Sequence, residues 1–216
     1  MKIMLISPSI LNADYLNLER DIKQLEIAGA DSIHVDIMDG KFVKNITWGP
    51  PTVAAMKQIT SLPIDVHLMV CEPELNIEDY IRQDVSSIFI HPESTIFLRK
   101  NLLAIKEAGL KSGVALKLET PTDQIIYCLE LVDVVLLLSC DEGFGGGSFQ
   151  NFVIDKVSAL KTMRTQYGLN YKIMMDGGIN LETGKLSKNA GADILVAGSY
   201  ILNADKKIAI ENLKNL

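Results

Sequence analysis

Eight short apolar runs alternate with eight amphipathic stretches along this 216-residue chain, and that alternation limits its fold more than any other feature. The runs cover residues 3–6, 32–37, 64–70, 87–90, 113–116, 132–138, 172–175 and 194–197. Several are apolar at consecutive positions, which suits strands buried on both faces, as in a parallel sheet. The stretches 14–28, 51–58, 73–82, 95–108, 121–129, 152–167, 181–190 and 204–213 carry helical spacing. In the first of them Leu16, Leu18, Ile22, Leu25 and Ile27 recur at roughly helical intervals, and Gly29 is a natural stop. Ala28-Gly29-Ala30 and Ala190-Gly191-Ala192 likewise put Gly just past a helix, where positive φ is needed.

Each unit averages 27 residues, room for a strand of about 5 residues, a helix of about 12 and two short loops. Unbroken alternation is α/β architecture. Eight units predict a single (β/α)8 TIM-barrel domain over residues 1–216, near the short end of the roughly 200–400 residues that such barrels use. A doubly wound sheet is the alternative. It exposes two edges and usually carries a Gly-rich nucleotide turn after its first strand, whereas Ser7-Pro8-Ser9 stands there in this chain.

The net charge is −6, which argues against a nucleic-acid module because such a module needs a basic face. A small phosphorylated substrate stays open, since backbone N–H groups can hold a phosphate without Lys or Arg. Cys71, Cys128 and Cys140 form no C-x-x-C pair, so no disulfide framework or structural zinc is expected and a cytoplasmic setting fits. The run at 3–6 meets Ser7 and Pro8 too soon for a secretory leader. No apolar segment approaches the ~18 residues of a membrane span.

The chain has three histidines, His34, His67 and His91, all on or just after expected strands. A barrel places its chemistry at the C-terminal ends of its strands. His34 and Asp36 leave one strand face together, as do Asp65 and His67, and Asp176 follows the seventh strand. Imidazoles and carboxylates on neighbouring strands can converge on one divalent metal, of the Zn, Fe, Mn or Co kind rather than Ca or Mg. The Gly143-Phe144-Gly145-Gly146-Gly147-Ser148 segment follows the sixth strand, Asp176-Gly177-Gly178 the seventh and Gly198-Ser199 the eighth. Consecutive glycines on adjacent strand ends can turn N–H groups towards a phosphate.

At these residues the sequence resembles the ribulose-phosphate 3-epimerase family. The matching stretches are Ser7-Pro8-Ser9-Ile10-Leu11-Asn12-Ala13-Asp14, His34-Val35-Asp36-Ile37-Met38-Asp39-Gly40, Asp65-Val66-His67-Leu68-Met69, Gly143-Phe144-Gly145-Gly146, Asp176-Gly177-Gly178-Ile179 and Val196-Ala197-Gly198-Ser199. The resemblance implies a barrel of the ribulose-phosphate binding type that interconverts D-ribulose 5-phosphate and D-xylulose 5-phosphate through an enediolate. It implies His34, Asp36, His67 and Asp176 as ligands of one divalent metal, and Asp36 and Asp176 as the acid/base pair. Ser9 and His67 match substrate contacts. Gly143, Phe144, Gly145, Gly146, Gly177, Gly178, Gly198 and Ser199 match the phosphate and substrate loops, and Met38 and Met69 flank the reacting carbons. The partner implied is a small phosphorylated ketose, with no nucleic acid and no membrane, and such barrels commonly form homo-oligomers. A D-allulose 6-phosphate 3-epimerase and a sugar-phosphate-binding paralogue without turnover are the alternatives.

The chain departs from the family pattern after the fifth and sixth strands and at Lys44. Lys117-Leu118-Glu119-Thr120-Pro121 stands where Asn-Pro-x-Thr-Pro is frequent. Leu138 stands in place of a Met, Asp141-Glu142 in place of Asn-Pro, Gly147 in place of Gln and Lys44 in place of Pro. Asp141 and Glu142 bring negative charge near the expected anion site. Lys117 offsets it if it faces the substrate, or is a surface lysine at a strand end. His91-Pro92-Glu93 resembles a run of allulose-6-phosphate 3-epimerases. His91 reads as a plain strand-end histidine, with a role behind the ligands as the alternative. Trp48 and the cysteines read as packing, and Met174-Met175 as barrel wall.

Overall fold

The apolar runs become strands with both faces buried. The computed structural model describes residues 3–216, so residues 1 and 2 of the expected domain lie outside the described residues. The strands are β1 (Leu5–Pro8), β2 (Ile33–Met38), β3 (Ile64–Met69), β4 (Ser87–Ile90), β5 (Lys111–Leu116), β6 (Val134–Leu138), β7 (Lys172–Asp176) and β8 (Ile194–Ala197). All eight run parallel in the order β1-β8-β7-β6-β5-β4-β3-β2. One bridge between Ser9 and His34 returns β1 to β2 and makes the sheet a nearly closed (β/α)8 barrel. Around it lie α1 (Leu18–Ile27), α2 (Pro50–Ile59), α3 (Ile77–Ile81), α4 (Leu98–Glu107), α5 (Val153–Gln166), α6 (Leu181–Ala190), α7 (Ser199–Leu202) and α8 (Lys206–Lys214). Among the described residues no helix is long and apolar enough to cross a membrane.

Alternation along each strand separates two interiors. Outward residues such as Ile6, Val35, Val66, Ile88, Val135 and Leu195 pack with helix residues such as Ile22, Val53, Leu102, Val157 and Ile210 in one apolar layer. Inside the barrel the two halves differ. The strands β5 to β8 line it with Ala115, Val134, Leu136, Leu138, Met174, Ile194 and Val196, joined by Phe89. The first four strands turn Ser7, His34, Asp36, Asp65, His67 and Ser87 inward, all buried.

The seam between β1 and β2 is short because of Pro8. Ser9 N–H donates to Ala197 of β8, so by alternation the peptide units of Ile6 and Pro8 face β2. Pro8 has no N–H to give. Ile6 N–H goes instead to the Asp31 carboxylate at 2.8 Å, and Asp31 N–H returns to the Ile6 carbonyl at 2.9 Å. The same device recurs at other strand starts. Asp133 accepts from Ser112 N–H at 3.0 Å and Asp193 from Ile173 N–H at 2.9 Å. Each of these carboxylates also takes a cation from a surrounding helix: Lys214 for Asp31, Lys106 for Asp133 and Arg164 for Asp193.

Three helical expectations change. The stretch 14–28 starts as a 3-10 turn at Tyr15–Asn17 before α1. The stretch 73–82 divides into a 3-10 turn, Pro73–Leu75, and α3, because Asn76 leaves helical geometry at φ −141°. The stretch 121–129 is a 3-10 helix over Thr122–Leu131. Its greater rise, ~2.0 Å per residue against ~1.5 Å, lets ten residues cover the return beside the barrel. Met175 also turns away from the interior into the helix layer, while Met174 faces the barrel.

Gly113 makes room for the Phe89 ring, which a Cβ at this position would overlap. Gly113→Ala should therefore cost about 1–3 kcal/mol, read as a lower urea midpoint with unchanged m-value. An unchanged midpoint would show that the ring has space to move.

Candidate active site

Strand parity brings the site together. In the register, His34 pairs with Asp65 and Asp36 with His67, so β2 and β3 present these groups in adjacent layers on one inner face. Asp36 and His67 reach the upper layer, where Asp176 arrives from the end of β7. One ligand atom each from His34, Asp36, His67 and Asp176 lies within 4.8 Å of all the others. Asp65 stays one layer below. Its carboxylate accepts from Ser7, Ser32 and Ser87 hydroxyls at 3.1, 2.5 and 2.5 Å, which completes it without a cation.

The electrostatics fit a divalent cation. Asp36 is buried, which by itself would raise its pKa, yet His34 and His67 hold it far below the usual carboxylate range. Ser9 Oγ donates to Asp36 Oδ2 at 2.7 Å, and His67 Nδ1 lies 3.0 Å from Oδ1. Burial and the charge of Asp36 push Asp176 up to about 7. Burial alone would lower His34, but the carboxylates, Asp36 foremost, raise it to about 9. Burial, with His91 and His34 close by, takes His67 down to about 4 against the pull of Asp36. Both ring nitrogens of His34 lack a hydrogen-bond partner, and Nε2 points between Asp36 at 3.4 Å and Asp176 at 3.9 Å. A buried carboxylate and a half-buried one that repel each other, with an orphaned imidazole, are the donor set that a borderline divalent ion satisfies.

A cleft opens above this cluster. It is lined by the expected Ser9, Asp36, Met38, Met69, Gly143, Phe144, Gly145, Gly146, Asp176, Gly177, Gly198 and Ser199. His34 and His67 lie fully buried beneath it. Gly178 does not line the cleft. It turns the chain at φ +59°, where a Cβ would press on Phe149 N at 2.8 Å and Gly147 O at 3.0 Å. At Gly145 a Cβ would overlap the Asn12 side chain, so the loop after β6 closes directly onto the loop after β1. Asn45 adds a hydrogen bond to the Gly143 carbonyl at 2.9 Å.

Asp141 and Glu142 line the cleft too, and three further lining residues, Leu11, Asn12 and Ile179, carry no role read from the sequence. Leu11, Asn12 and Ile179 sit inside motifs whose other members were assigned, which was the available signal. Cys140 is buried as expected of packing, whereas Cys71 is exposed. Trp48 packs partly buried against the core and against Tyr15, with ring centroids 4.4 Å apart. Lys117 does not face the cleft as a free cation. Its Nζ pairs with Glu119 at 2.7 Å and Glu142 at 2.8 Å, over the face of Phe42. Lys156 donates to the carbonyls of Lys117, Leu118 and Thr120 at 2.6–2.8 Å and fixes this loop from below. His91 is no plain strand-end residue either: it is fully buried, with Nε2 2.9 Å from His67 Nε2.

The profile of the Ribulose-phosphate 3 epimerase family matches residues 5–202. The chain is 44% identical over 214 residues to the chloroplastic ribulose-5-phosphate-3-epimerase of Arabidopsis thaliana, covering 98% of this chain and 76% of that one. It is 41% identical over 211 residues to the ribulose-phosphate 3-epimerase of Bacillus subtilis, covering 97% of each. Among solved structures, KGPDC from Streptococcus mutans superposes with a TM-score of 0.70 at 13% identity, covering 99% and 97% of the two chains. The tryptophan synthase A-subunit of Pyrococcus furiosus gives 0.71 at 14% identity, covering 99% and 98%. These two likenesses concern the barrel alone.

Ion binding at this cluster must displace the protons that His34 and Asp176 hold, because a ligand needs its lone pair. His34, at about 9, is protonated below that pH, and Asp176, at about 7, is protonated below 7. Apparent affinity for Zn2+ or Co2+ should therefore rise about tenfold per pH unit between 7 and 9, and more steeply below 7. Calorimetric titration of chelator-treated protein in buffers of different ionisation enthalpy reads this directly. A pH-independent affinity would contradict the charge balance.

Proposed function

The chain belongs to the ribulose-phosphate 3-epimerase family, and from that membership we propose how its barrel performs the family's interconversion of D-ribulose 5-phosphate and D-xylulose 5-phosphate. The observation that carries the proposal is the convergence of Asp36 from β2 and Asp176 from β7 on one buried cluster. Inverting C3 beside a ketone means removing its proton from one face and returning one to the other. A carboxylate at each face does both in turn, so either epimer can serve as substrate. Asp36 is kept ionised and oriented by Ser9 and His67.

His34, Asp36, His67 and Asp176 would hold one divalent ion, of the Zn, Fe, Mn or Co kind given two imidazoles and two carboxylates. When bound, it supplies positive charge against the developing oxygen charge of the enediolate. Met38 and Met69 give the reacting carbons a soft, water-poor wall. Ser9 contacts the sugar, and His67, buried beneath the cleft, acts on it through Asp36. Backbone N–H groups of Gly143 to Gly146, Gly177, Gly198 and Ser199 surround the phosphate, and Gly178 turns the loop behind them. Positive φ at Gly143, Gly146, Gly177 and Gly178 supports this, because it lets the chain curl around an anion. The same reading makes residues 1–216 one barrel domain in a reducing cytoplasm, supported by three cysteines free of disulfides. It also expects a homo-oligomer, supported by the exposed apolar groups Ile96, Phe97 and Tyr127 beside α4.

Asp36→Asn and Asp176→Asn should each lower kcat at least ~10³-fold and abolish deuterium uptake at C3 from heavy water, while inorganic phosphate still binds. Full exchange in both variants would remove these two residues from the acid/base role. Comparing kcat/KM for ribulose 5-phosphate and allulose 6-phosphate checks the chain length of the ketose.

The ion pair at the cleft rim makes a separate prediction. Lys117→Met frees the Glu142 carboxylate beside an anionic substrate and should raise KM about 3–10-fold with kcat nearly unchanged. Adding Glu142→Gln to it should restore KM. A Lys117→Met enzyme with wild-type KM would mean that Glu142 does not sense the substrate.

A further inference from the structure

Two imidazoles whose ring nitrogens meet at hydrogen-bond distance cannot choose their tautomers independently. His67 Nε2 and His91 Nε2 are 2.9 Å apart, both rings fully buried. One nitrogen must carry the proton and the other the lone pair, since two protons or two lone pairs would repel. The other edge of His67, Nδ1, faces Asp36 at 3.0 Å and belongs to the four-residue cluster. For Nδ1 to offer a lone pair to a cation, the His67 proton must sit on Nε2. His91 Nε2 must then accept it, and the His91 proton must sit on Nδ1. Nδ1 has no hydrogen-bond partner, but the Glu93 carboxylate lies 3.7 Å away. Glu93 in turn accepts the Thr120 hydroxyl. Phe42 stacks on His91, with ring centroids 4.8 Å apart, and holds its plane.

We propose that His91 is a positioning residue that accepts the Nε2 proton of His67 and thereby turns the Nδ1 lone pair of His67 onto the divalent-ion cluster. The inference rests on the reading of His34, Asp36, His67 and Asp176 as an ion site. Without the ion, Nδ1–H of His67 donates to Asp36 and Nε2 carries a lone pair, so His91 Nε2 must be the donor. Ion binding thus exchanges both tautomers at once, with no change in the proton count of the pair. Glu93 is the acceptor waiting for the displaced proton of His91. Second-sphere acceptors of this kind fix ring orientation and raise the basicity of the liganding nitrogen.

The test uses Co2+ and Zn2+ on the full chain. With three histidines in the sequence, two-bond 15N–1H spectra resolve every ring. Zinc-loaded wild type should show His67 protonated at Nε2 and His91 at Nδ1; the opposite His91 tautomer overturns the proposal. His91→Phe keeps a ring but no acceptor, and should weaken Co2+ binding about 10–100-fold and alter the visible Co2+ spectrum. His91→Gln offers an oxygen at the same reach and should stay within about threefold of wild type, with its spectrum. If His91→Phe binds Co2+ as wild type does, or His91→Gln loses as much as His91→Phe, the positioning role is wrong. Wild type that binds neither ion would instead overturn the ion-site reading itself.

Discussion

The buried negative charge of Asp36 is the constraint around which the barrel interior is arranged. An ionised carboxylate removed from water is tolerated only with charge-assisted hydrogen bonds or a cation to compensate it. Asp36 draws on three strands for this: Ser9 at the end of β1, His34 on its own strand and His67 on β3. Every one of those groups must face inward, which fixes the parity of three strands at once. Slipping β2 or β3 by one residue would send its histidine into the helix layer and bring Val or Ile inside. The apolar half of the barrel, from β5 to β8, supplies the low-polarity wall against which that charge keeps its strength.

The seam and the site are built from the same bonds. Between β1 and β2 the backbone contributes one bridge, at Ser9 and His34, both residues of the cluster or its support. Side chains do much of the work of closure: Ser9 to Asp36, Ser7 to Asp65 and Ser32 to Ser7. A chain that fails to close here takes the Ser9 donor from Asp36 and the Ser7 donor from Asp65. Barrel closure and assembly of the His/Asp cluster are therefore coupled. A proline in β1 is compatible with this because Asp31 takes the one N–H that the short edge would otherwise leave unpaired.

The repeating strand pattern, the Gly stops and the inward parity of His34, Asp36, His67 and Asp176 could all be read from local spacing. What could not be read depends on which strands become neighbours. His91 looked like an ordinary strand end because the pairing that matters, with His67, joins positions 24 residues apart through the register of β3 and β4. Lys117 and Glu142 lie on loops of β5 and β6 and find each other only once those strands are adjacent. Asp31, Asp133 and Asp193 have no role in the local pattern, and their link to the preceding strand needs the parallel order itself. The 3-10 return at Thr122–Leu131 has ordinary helical composition, and its winding follows from the distance it must cover.

The charged loop after β6 shows how a departure from a family pattern is absorbed. Replacing a neutral pair by Asp141-Glu142 beside an anion site would repel the ligand if both charges stood bare. The compensating cation comes from the end of the neighbouring strand β5, where Lys117 replaces another neutral residue of the pattern. Lys117 is itself held by two carboxylates over an aromatic face, and it remains protonated because they outweigh its desolvation. Its charge is thus committed to the loop and not to the ligand. The loop keeps its position against Phe42, which also stacks on His91 behind His67. One aromatic ring therefore lies between the rim ion pair and the histidine column, and it joins the altered loops to His67 through His91.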